Sequence, residues 1–221
     1  MRIALIGYGK MGHMIESLAL KQGHAVVARI DKDRDEWDRL IQTDVAIEFS
    51  TPMTAKDNIL RAWKYHVPVV CGTTGWGVEP LKTGIGDYAL IWSSNYSIGV
   101  NILFTLNKEL ARLMARYPQY TPSIVETHHV HKLDKPSGTA KTLSEQIPAV
   151  SDGQNAEVPI DSIREGEVPG IHTVTWDSEV DTLSLTHTAK SREGFALGAL
   201  LAAEWIIGKK GYHDFEEVLR N

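Results

Sequence analysis

Residues 2–12 have the sequence RIALIGYGKMG, in which a mostly apolar run is followed by glycines at the spacing G-x-G-x-x-G. The run Arg2–Ile6 predicts a strand, and the apolar spacing over Met11–Lys21 predicts a helix that starts within the glycine motif. In that context Gly7 allows a tight turn, Gly9 lets the backbone approach a pyrophosphate, and Gly12 lets the helix pack closely on the strand. The stretch predicts a dinucleotide site formed by Gly7, Tyr8, Gly9, Lys10, Met11 and Gly12.

An acidic residue is expected about 20 residues after such a motif, where it binds the ribose diol. Asp31 meets that expectation, because it follows the predicted strand Ala25–Ile30. Lys32 comes next, and a cation at this place can pair with the 2′-phosphate of NADP. The sequence therefore leaves NADH and NADPH both open as cofactors.

Short β-rich runs alternate with helical patterns through the first half of the chain, which predicts a parallel sheet covered by helices. The further strands predicted there are Val45–Phe49, Val67–Val70 and Ala89–Trp92. Beyond Asn95 the predicted elements are helix Asn101–Arg116, an extended segment Ile124–His129, helix Thr139–Ile147, a loop Val150–Asp161, strands His172–Trp176 and Thr182–Thr188, and helix Phe195–Ile207. The predicted fold class is α/β: an N-terminal Rossmann-like, doubly wound parallel sheet, followed by a second α+β domain with a mixed or antiparallel sheet.

Two loops of small and hydroxylated residues follow the predicted fourth and fifth strands. Ligands of open α/β sheets bind at the carboxyl ends of strands, so both loops are candidates for the nicotinamide side of the site. The alternative is that the same residues only form ordinary turns. The candidates are Gly72, Thr73 and Thr74 after one strand, and Ser93, Ser94, Asn95 and Tyr96 after the other.

Reactive side chains are densest over residues 126–132, which have the sequence ETHHVHK. Histidine exchanges protons near neutral pH, so His128 is a candidate general acid. Lys132 lies four positions later, a spacing that places both side chains on one side of a strand or a helix. Residues 136–139 then open a helix, whose first N–H groups and hydroxyls suit a carboxylate.

The same segment is also compatible with a zinc site, or with a plain polar loop that carries surface histidines. Neighbouring residues of a strand point to opposite faces, and His128, His129 and His131 lack a regular spacing of tetrahedral ligands. No metal is therefore expected.

The composition is that of an ordinary globular protein, with 221 residues of which 43% are hydrophobic and 23% charged. The formal net charge of −5 argues against the concentrated basic surface that nucleic-acid binding requires. A single cysteine, Cys71, rules out an intrachain disulfide and fits a reducing compartment. Apolar runs are too short for a membrane span or a signal peptide, so we expect a cytoplasmic protein without a membrane or nucleic-acid partner.

Four stretches together resemble the ordered motifs of the 4-hydroxy-tetrahydrodipicolinate reductase family, also called dihydrodipicolinate reductases. They are Gly7–Gly12, Gly72–Gly75, Ser94–Asn101 and Glu126–Ala140. The sequence HHVHKLDKPSGTA over residues 128–140 is close to the signature of that family and is highly specific. Residues 186–199 also fit its C-terminal region, so the resemblance covers essentially the whole chain.

The resemblance implies an oxidoreductase of lysine biosynthesis by the diaminopimelate route. Its substrate would be the imine derived from (2S,4S)-4-hydroxy-2,3,4,5-tetrahydrodipicolinate, a dicarboxylate, and its product (S)-2,3,4,5-tetrahydrodipicolinate. His128 would be the catalytic proton donor/acceptor, with Lys132 beside it as a proton donor, and His129, Gly138 and Thr139 would bind the substrate.

The resemblance also implies that NADH or NADPH is held by the glycine motif, by Asp31 and Lys32, and by the two loops at the strand ends. It implies a dinucleotide-binding domain of residues 1–97 and 192–221, and a substrate-binding and oligomerisation domain of residues 98–191. Members of the family are mostly homotetramers, so a homotetramer is expected.

Two alternatives belong to other functional classes. One is another two-domain Rossmann dehydrogenase, which would turn over an amino acid or aldehyde but not the dipicolinate precursor. The other is a nucleotide-binding sensor, which would bind NADH tightly without turning over any imine.

Overall fold

The computed structural model describes residues 1–150 and 158–220, and the chain divides into two compact units. Unit 1 comprises Met1–Ile98 and Glu193–Asn221, and unit 2 comprises Gly99–Arg192. The strands are β1 Arg2–Ile6, β2 Ala25–Ile30, β3 Val45–Glu48, β4 Val69–Cys71, β5 Ala89–Trp92, β6 Thr121–His128, β7 Ile160–Arg164, β8 Ile171–Asp177, β9 Thr182–Thr188 and β10 Gly211–His213. The α-helices are α1 Lys10–Lys21, α2 Ala55–Trp63, α3 Glu79–Thr83, α4 Ile98–Met114, α5 Gly138–Val150, α6 Glu193–Ile206 and α7 Phe215–Arg220, with a 3-10 helix at Trp37–Gln42.

Unit 1 contains a six-stranded sheet in the order β10-β5-β4-β3-β1-β2, in which every neighbouring pair is parallel. Strand β2 lies on one side of β1, and β3, β4 and β5 follow in order on the other side. The strand order therefore switches direction between β1 and β3, at their carboxyl ends. Ligands of doubly wound sheets bind at this point. The predicted Rossmann-like sheet is confirmed.

Successive side chains of β1 enter cores on opposite faces of this sheet. Ile3 and Leu5 pack with α1 and α6, whereas Ala4 and Ile6 pack with α2 and the 3-10 helix. All four side chains are at most 1% exposed. Burial on both faces explains why this strand is almost continuously apolar in sequence.

Unit 2 contains a four-stranded sheet in the order β7-β6-β8-β9. Strand β6 pairs parallel with β7 and antiparallel with β8, and β8 pairs antiparallel with β9. Helices α4 and α5 cover one face, where Leu103, Leu143 and Trp176 are at most 4% exposed. The predicted mixed sheet is therefore confirmed.

Two strands were not predicted from the sequence. Strand β7 begins inside the predicted loop Val150–Asp161, most of which lies outside the described residues. Its side chains alternate only between half-buried and exposed, so it lacks the apolar contrast that marks a strand. Strand β10 has three residues, too few for any periodicity to show.

Helix α6 belongs to unit 1, although unit 2 separates it in sequence from the strands that it covers. Ala199, Leu200 and Ala203 are at most 1% exposed in the core shared with β1. A Cβ on Gly198 would lie 1.7 Å from the carbonyl oxygen of Tyr96, so only glycine permits this approach. Among the described residues, α6 included, no helix has the length and hydropathy needed to cross a bilayer.

Candidate functional site

The glycine loop between β1 and α1 packs against the loop that follows β3. Gly7 has a φ of 89°, and a Cβ there would lie 2.1 Å from the carbonyl oxygen of Phe49. A Cβ on Gly12 would lie 2.5 Å from the carbonyl oxygen of Gly7. Helix α1 starts at Lys10 without a side-chain cap from any described residue. Its first N–H groups therefore suit the phosphates of a dinucleotide.

The carboxylate of Asp31 is fixed to this loop at the end of β2. It accepts the N–H of Tyr8 at 2.7 Å and the N–H of Lys32 at 2.7 Å. These hydrogen bonds, that of Lys32 above all, hold the pKa of Asp31 below its usual value, so its carboxylate is charged at neutral pH. The Lys32 side chain is exposed and lies 3.8 Å from Asp33.

Arg34 is a second cation beside Asp31 that sequence reasoning missed. Its guanidinium carbon lies 5.2 Å from the centroid of the Tyr8 ring, and its backbone pairs with that of Asp31. In the sequence, Arg34 is only one member of the charged run after β2. Nothing in that run shows which basic side chain lies near Tyr8.

The loop after β4 packs against the loop after β3. A Cβ on Gly72 would lie 2.2 Å from the Phe49 ring, so this glycine permits the close packing. The hydroxyl of Thr73 accepts the N–H of Ser50 at 2.8 Å. Thr74, by contrast, is exposed.

The loop after β5 is held by its own hydroxyl and amide groups. Ser93 donates to the carbonyl oxygen of Asn95 at 2.8 Å, and Ser94 is exposed. Tyr96 is 1% exposed, and its hydroxyl donates to the carbonyl oxygen of Cys71 at 2.9 Å. The Tyr96 ring therefore ties β4 to the loop after β5 from within the core.

A buried carboxylate, Glu48, is a further group that the sequence did not single out. It accepts the N–H of Ser50 at 3.2 Å and the thiol of Cys71 at 3.1 Å, and it is 0% exposed. Burial, followed by the nearby negative charge of Glu48, raises the pKa of Cys71, which keeps this thiol protonated. Glu48 thus joins the loop after β3 to the end of β4.

In unit 2, the strand register assembles a buried charged cluster. Glu126 and His128 lie two residues apart on β6, so they share one face. His172 on β8 lies opposite Glu126, and Arg164 on β7 lies opposite His128. Glu126, His128 and His172 are 0%, 7% and 4% exposed.

Glu126 is the centre of this cluster. Its carboxylate accepts the N–H of Ser137 at 3.1 and 3.2 Å and faces Nη2 of Arg164 at 3.3 Å. Its Oε2 lies 3.5 Å from Nδ1 of His128 and 3.7 Å from Nε2 of His172. One carboxylate therefore faces two imidazoles, a guanidinium and the residue before α5.

Burial governs the protonation of the two histidines. It lowers the pKa of His172 to about 4, so this ring is neutral near pH 7. It also lowers the pKa of His128, with Lys132 and Arg164 adding to the effect and Glu126 opposing it. For Glu126, burial raises the pKa, but the hydrogen bonds of Ser137, the Ser162 side chain and the nearby His128 together outweigh it, so the net pKa is lowered.

The other residues predicted from the histidine segment lie outside this cluster. Strand β6 ends at His128, so the argument that places Lys132 on the same strand face is wrong; Lys132 lies in the turn that follows. Its Nζ donates to both oxygens of Asp134 at 2.6 and 2.8 Å. His131 lies 3.2 Å from Glu167 at the surface. His129 is half-buried.

Helix α5 starts at Gly138, as the anion-site prediction requires. The hydroxyl of Ser137 accepts the N–H of Ala140 at 3.2 Å, which caps the first turn. Thr139 follows Gly138 in that first turn and is half-buried.

Comparison with known proteins covers both units. A family model described as dihydrodipicolinate reductase, N-terminus, matches residues 1–96, and one described as dihydrodipicolinate reductase, C-terminus, matches residues 99–219. The chain belongs to the dihydrodipicolinate reductase family. The predicted family and its oxidoreductase activity in lysine biosynthesis are thereby confirmed.

Curated relatives of this dihydrodipicolinate reductase family member match over its whole length. A 4-hydroxy-tetrahydrodipicolinate reductase of Christiangramia forsetii is 44% identical, covering 99% of this chain and 98% of its own. The corresponding protein of Thermosipho africanus is 36% identical, covering 100% and 98%. The solved structure titled dipicolinate-bound dihydrodipicolinate reductase from Paenisporosarcina sp. TG-14 is 24% identical, with a TM-score of 0.77 and coverage of 96% and 97%. That structure supports the fold class.

Within this reductase, Glu126, His128 and His172 also have the composition of a metal site. Their ligand atoms all lie within 4.8 Å of one another. The same carboxylate, however, already accepts the Ser137 N–H and faces the positive charge of Arg164. The three histidines of the sequence motif do not converge; one of them is joined instead by a glutamate and by a histidine from β8.

Proposed function

We propose that this chain catalyses the NAD(P)H-dependent reduction of the imine derived from (2S,4S)-4-hydroxy-2,3,4,5-tetrahydrodipicolinate to (S)-2,3,4,5-tetrahydrodipicolinate. The buried imidazole of His128, backed by Glu126 and followed by a lysine and the start of α5, is the observation that carries the proposal. A dicarboxylate with a cyclic imine requires these groups: a proton donor, a cation and a helix start for a carboxylate.

Unit 2 supplies the substrate-side chemistry in this proposal. His128 donates the single proton that completes the reduction, and Lys132 is the second candidate donor of that proton and a cation for the substrate. His129, Gly138 and Thr139 bind the substrate, the last two through a carboxylate at the start of α5. Orientation by these groups adds to the acid catalysis.

Unit 1 supplies the cofactor site in this proposal. A nicotinamide cofactor, when bound, would supply the hydride, and the protein would bind and orient it. Residues 7–12 at the start of α1 would hold the pyrophosphate, and Asp31 would hold the ribose diol. Residues 72–74 and 93–96 would line the nicotinamide side. The crowding at Gly7, Gly12 and Gly72 supports these assignments, because side chains there would displace the loops.

A coupled assay tests the proposed reaction. The precursor is generated in situ, and the absorbance of NADH or NADPH is followed after the purified protein is added. Consumption that depends on the precursor is expected. Turnover of an amino acid or aldehyde without turnover of the precursor would identify a different dehydrogenase, and tight NADH binding without any turnover would identify a sensor.

Replacing Asp31 with alanine should weaken NADH binding more than NADPH binding. The charged carboxylate accepts hydrogen bonds from an unmodified ribose diol, whereas it repels a 2′-phosphate that Lys32 can neutralise. We therefore expect the wild type to use both cofactors, with NADH at least comparable. Dissociation constants from the quenching of protein fluorescence measure the effect, and equal losses for both cofactors would contradict the ribose assignment.

Activity should be unchanged in excess chelator. If His128 acts as a proton donor, its ring nitrogens are not required as metal ligands. Assays after dialysis against EDTA, together with metal analysis of the purified protein, check this expectation. Stoichiometric zinc whose removal abolishes activity would overturn it.

The homotetramer and the cytoplasmic location are further proposals, which rest on the family resemblance. Oligomerisation is assigned to the sheet of unit 2. The face of this sheet that α4 and α5 leave uncovered carries hydroxyl side chains, among them Thr173 and Thr186, which hydrogen-bond to each other at 3.0 Å.

A further inference from the structure

The carboxylate of Glu126 connects the proposed proton donor to the proposed carboxylate site. We propose that Glu126 is a positioning residue that holds Nδ1 of His128 toward itself, so that the other ring nitrogen faces the substrate, and that also fixes the start of α5. The inference rests on the proposed function, since it assigns His128 and α5 their roles.

The placement of the His128 ring supports this assignment. Nδ1 is enclosed by protein and lies 3.5 Å from Oε2 of Glu126, without a hydrogen bond to any described residue. Such a distance is typical of a catalytic pair that tightens when substrate binds. On the other side of the ring, a Cβ on Gly170 would lie 3.2 Å from Nε2, so glycine leaves room there. A carboxylate that faces one ring nitrogen fixes the tautomer and orientation of the ring.

The charges around His128 show how Glu126 affects the protonation of its ring. Lys132 and Arg164 disfavour the imidazolium, and Glu126 and Asp134 favour it. His172 carries no charge near neutral pH, because burial lowers its pKa to about 4. Glu126 is fully buried, whereas Asp134 is exposed and already paired with Lys132. The stabilisation of the charged donor thus comes mainly from Glu126, since buried charges are screened least.

The second contact of Glu126 reaches the substrate-binding side. Both carboxylate oxygens accept the N–H of Ser137, the residue directly before α5. The Ser137 hydroxyl caps Ala140 and lies 3.3 Å from Nε2 of His172. Loss of the carboxylate therefore loosens the turn that presents Gly138 and Thr139, so KM should rise as well.

Glu126→Gln is the decisive variant, because it keeps the size and one acceptor oxygen but removes the charge. The donor must be protonated, so kcat/KM of the wild type falls as pH rises through the pKa of His128. Without the carboxylate this fall should move to lower pH by about one unit or more, the usual effect of an opposite charge within 4–6 Å. Activity should recover substantially toward acid pH. A purely structural role would instead lower activity equally at every pH.

Two further variants make the pH profile interpretable. Glu167→Gln removes an exposed carboxylate that faces His131, and its profile should match the wild type. Glu126→Asp keeps the charge, but its side chain is one methylene shorter, so the carboxylate lies farther from His128. Its pH profile of kcat/KM should therefore lie between those of the wild type and Glu126→Gln. If Glu126→Gln does not fold, Glu126→Asp alone is used for the test. A profile of this variant that falls at the same pH as that of the wild type overturns the inference.

An NMR titration of histidine-labelled protein separates this inference from the proposed reaction. The His128 resonance is assigned by its loss in His128→Ala, and its midpoint is measured without any substrate. A lower midpoint in Glu126→Gln supports the positioning role even if the precursor is not turned over, in which case the proposed function alone fails. An unchanged midpoint in an active enzyme overturns the positioning role alone.

Discussion

Replacing His128 with alanine is expected to lower kcat at least about 100-fold, the lower end of what general acid catalysis contributes. A water molecule in the space left by the ring is a much weaker acid than imidazolium, so it cannot replace the proton donor. The dissociation constant of NADH should hardly change, because the cofactor residues proposed here all lie in unit 1. Steady-state kinetics with the precursor, and a fluorescence titration with NADH, measure the two quantities.

His131→Ala is the matched control for this prediction. It removes a histidine three residues away that is 72% exposed and faces Glu167 at 3.2 Å. Its kcat should stay close to that of the wild type. A His128→Ala enzyme with near-normal kcat would refute the proton-donor role, and equal losses in both variants would indicate a general disturbance of the segment.

Replacing Lys132 with methionine should lower kcat/KM at least about tenfold. A hydrogen bond to a charged group contributes about 1.5–3 kcal/mol, and 1.4 kcal/mol corresponds to a factor of ten. Methionine keeps most of the side-chain stem but removes the charge and the donated proton. Because Nζ is held by both oxygens of Asp134, the lysine is already oriented before a substrate carboxylate arrives.

Two further variants are compared with Lys132→Met. Lys135→Met removes an exposed charge from the same loop and should leave kcat/KM nearly unchanged. Thr139→Val should mainly raise KM, because a hydroxyl contact to a carboxylate acts in the ground state and the transition state alike. If Lys132→Met has the kinetics of the wild type, Lys132 is a surface residue that serves only Asp134.

Strands with a clear pattern in the sequence were a predictable part of this fold. The bounds of β1 and β5 match the predicted strands Arg2–Ile6 and Ala89–Trp92, because helices cover both of their faces and the sequence there is apolar without alternation. The glycine loop and Asp31 were predictable for a related reason. Their spacing reflects a tight turn and a close approach within one local strand-turn-helix-strand unit.

The cluster around Glu126 could not be predicted in the same way. It depends on which residues of β7 and β8 lie opposite β6, and pairing register is not encoded in the periodicity of any single strand. His172 was noticed only as the first residue of a strand, and Arg164 lies on a strand that was not predicted at all. Lys132 was misplaced because the spacing argument required one regular element to run from His128 to Lys132, whereas β6 ends at His128 and a turn follows.

The divided sequence of unit 1 determines the order in which the two units can fold during synthesis. Unit 2 is one uninterrupted segment, so its sheet can close once residue 192 has left the ribosome. The first part of unit 1 is translated before unit 2, yet α6, the edge strand β10 and α7 are made only after it. Until then the nascent chain leaves uncovered the part of the sheet face that α6 buries, which includes Val70 and Ile91. Unit 1 is therefore the part of the chain that needs protection from aggregation while translation continues.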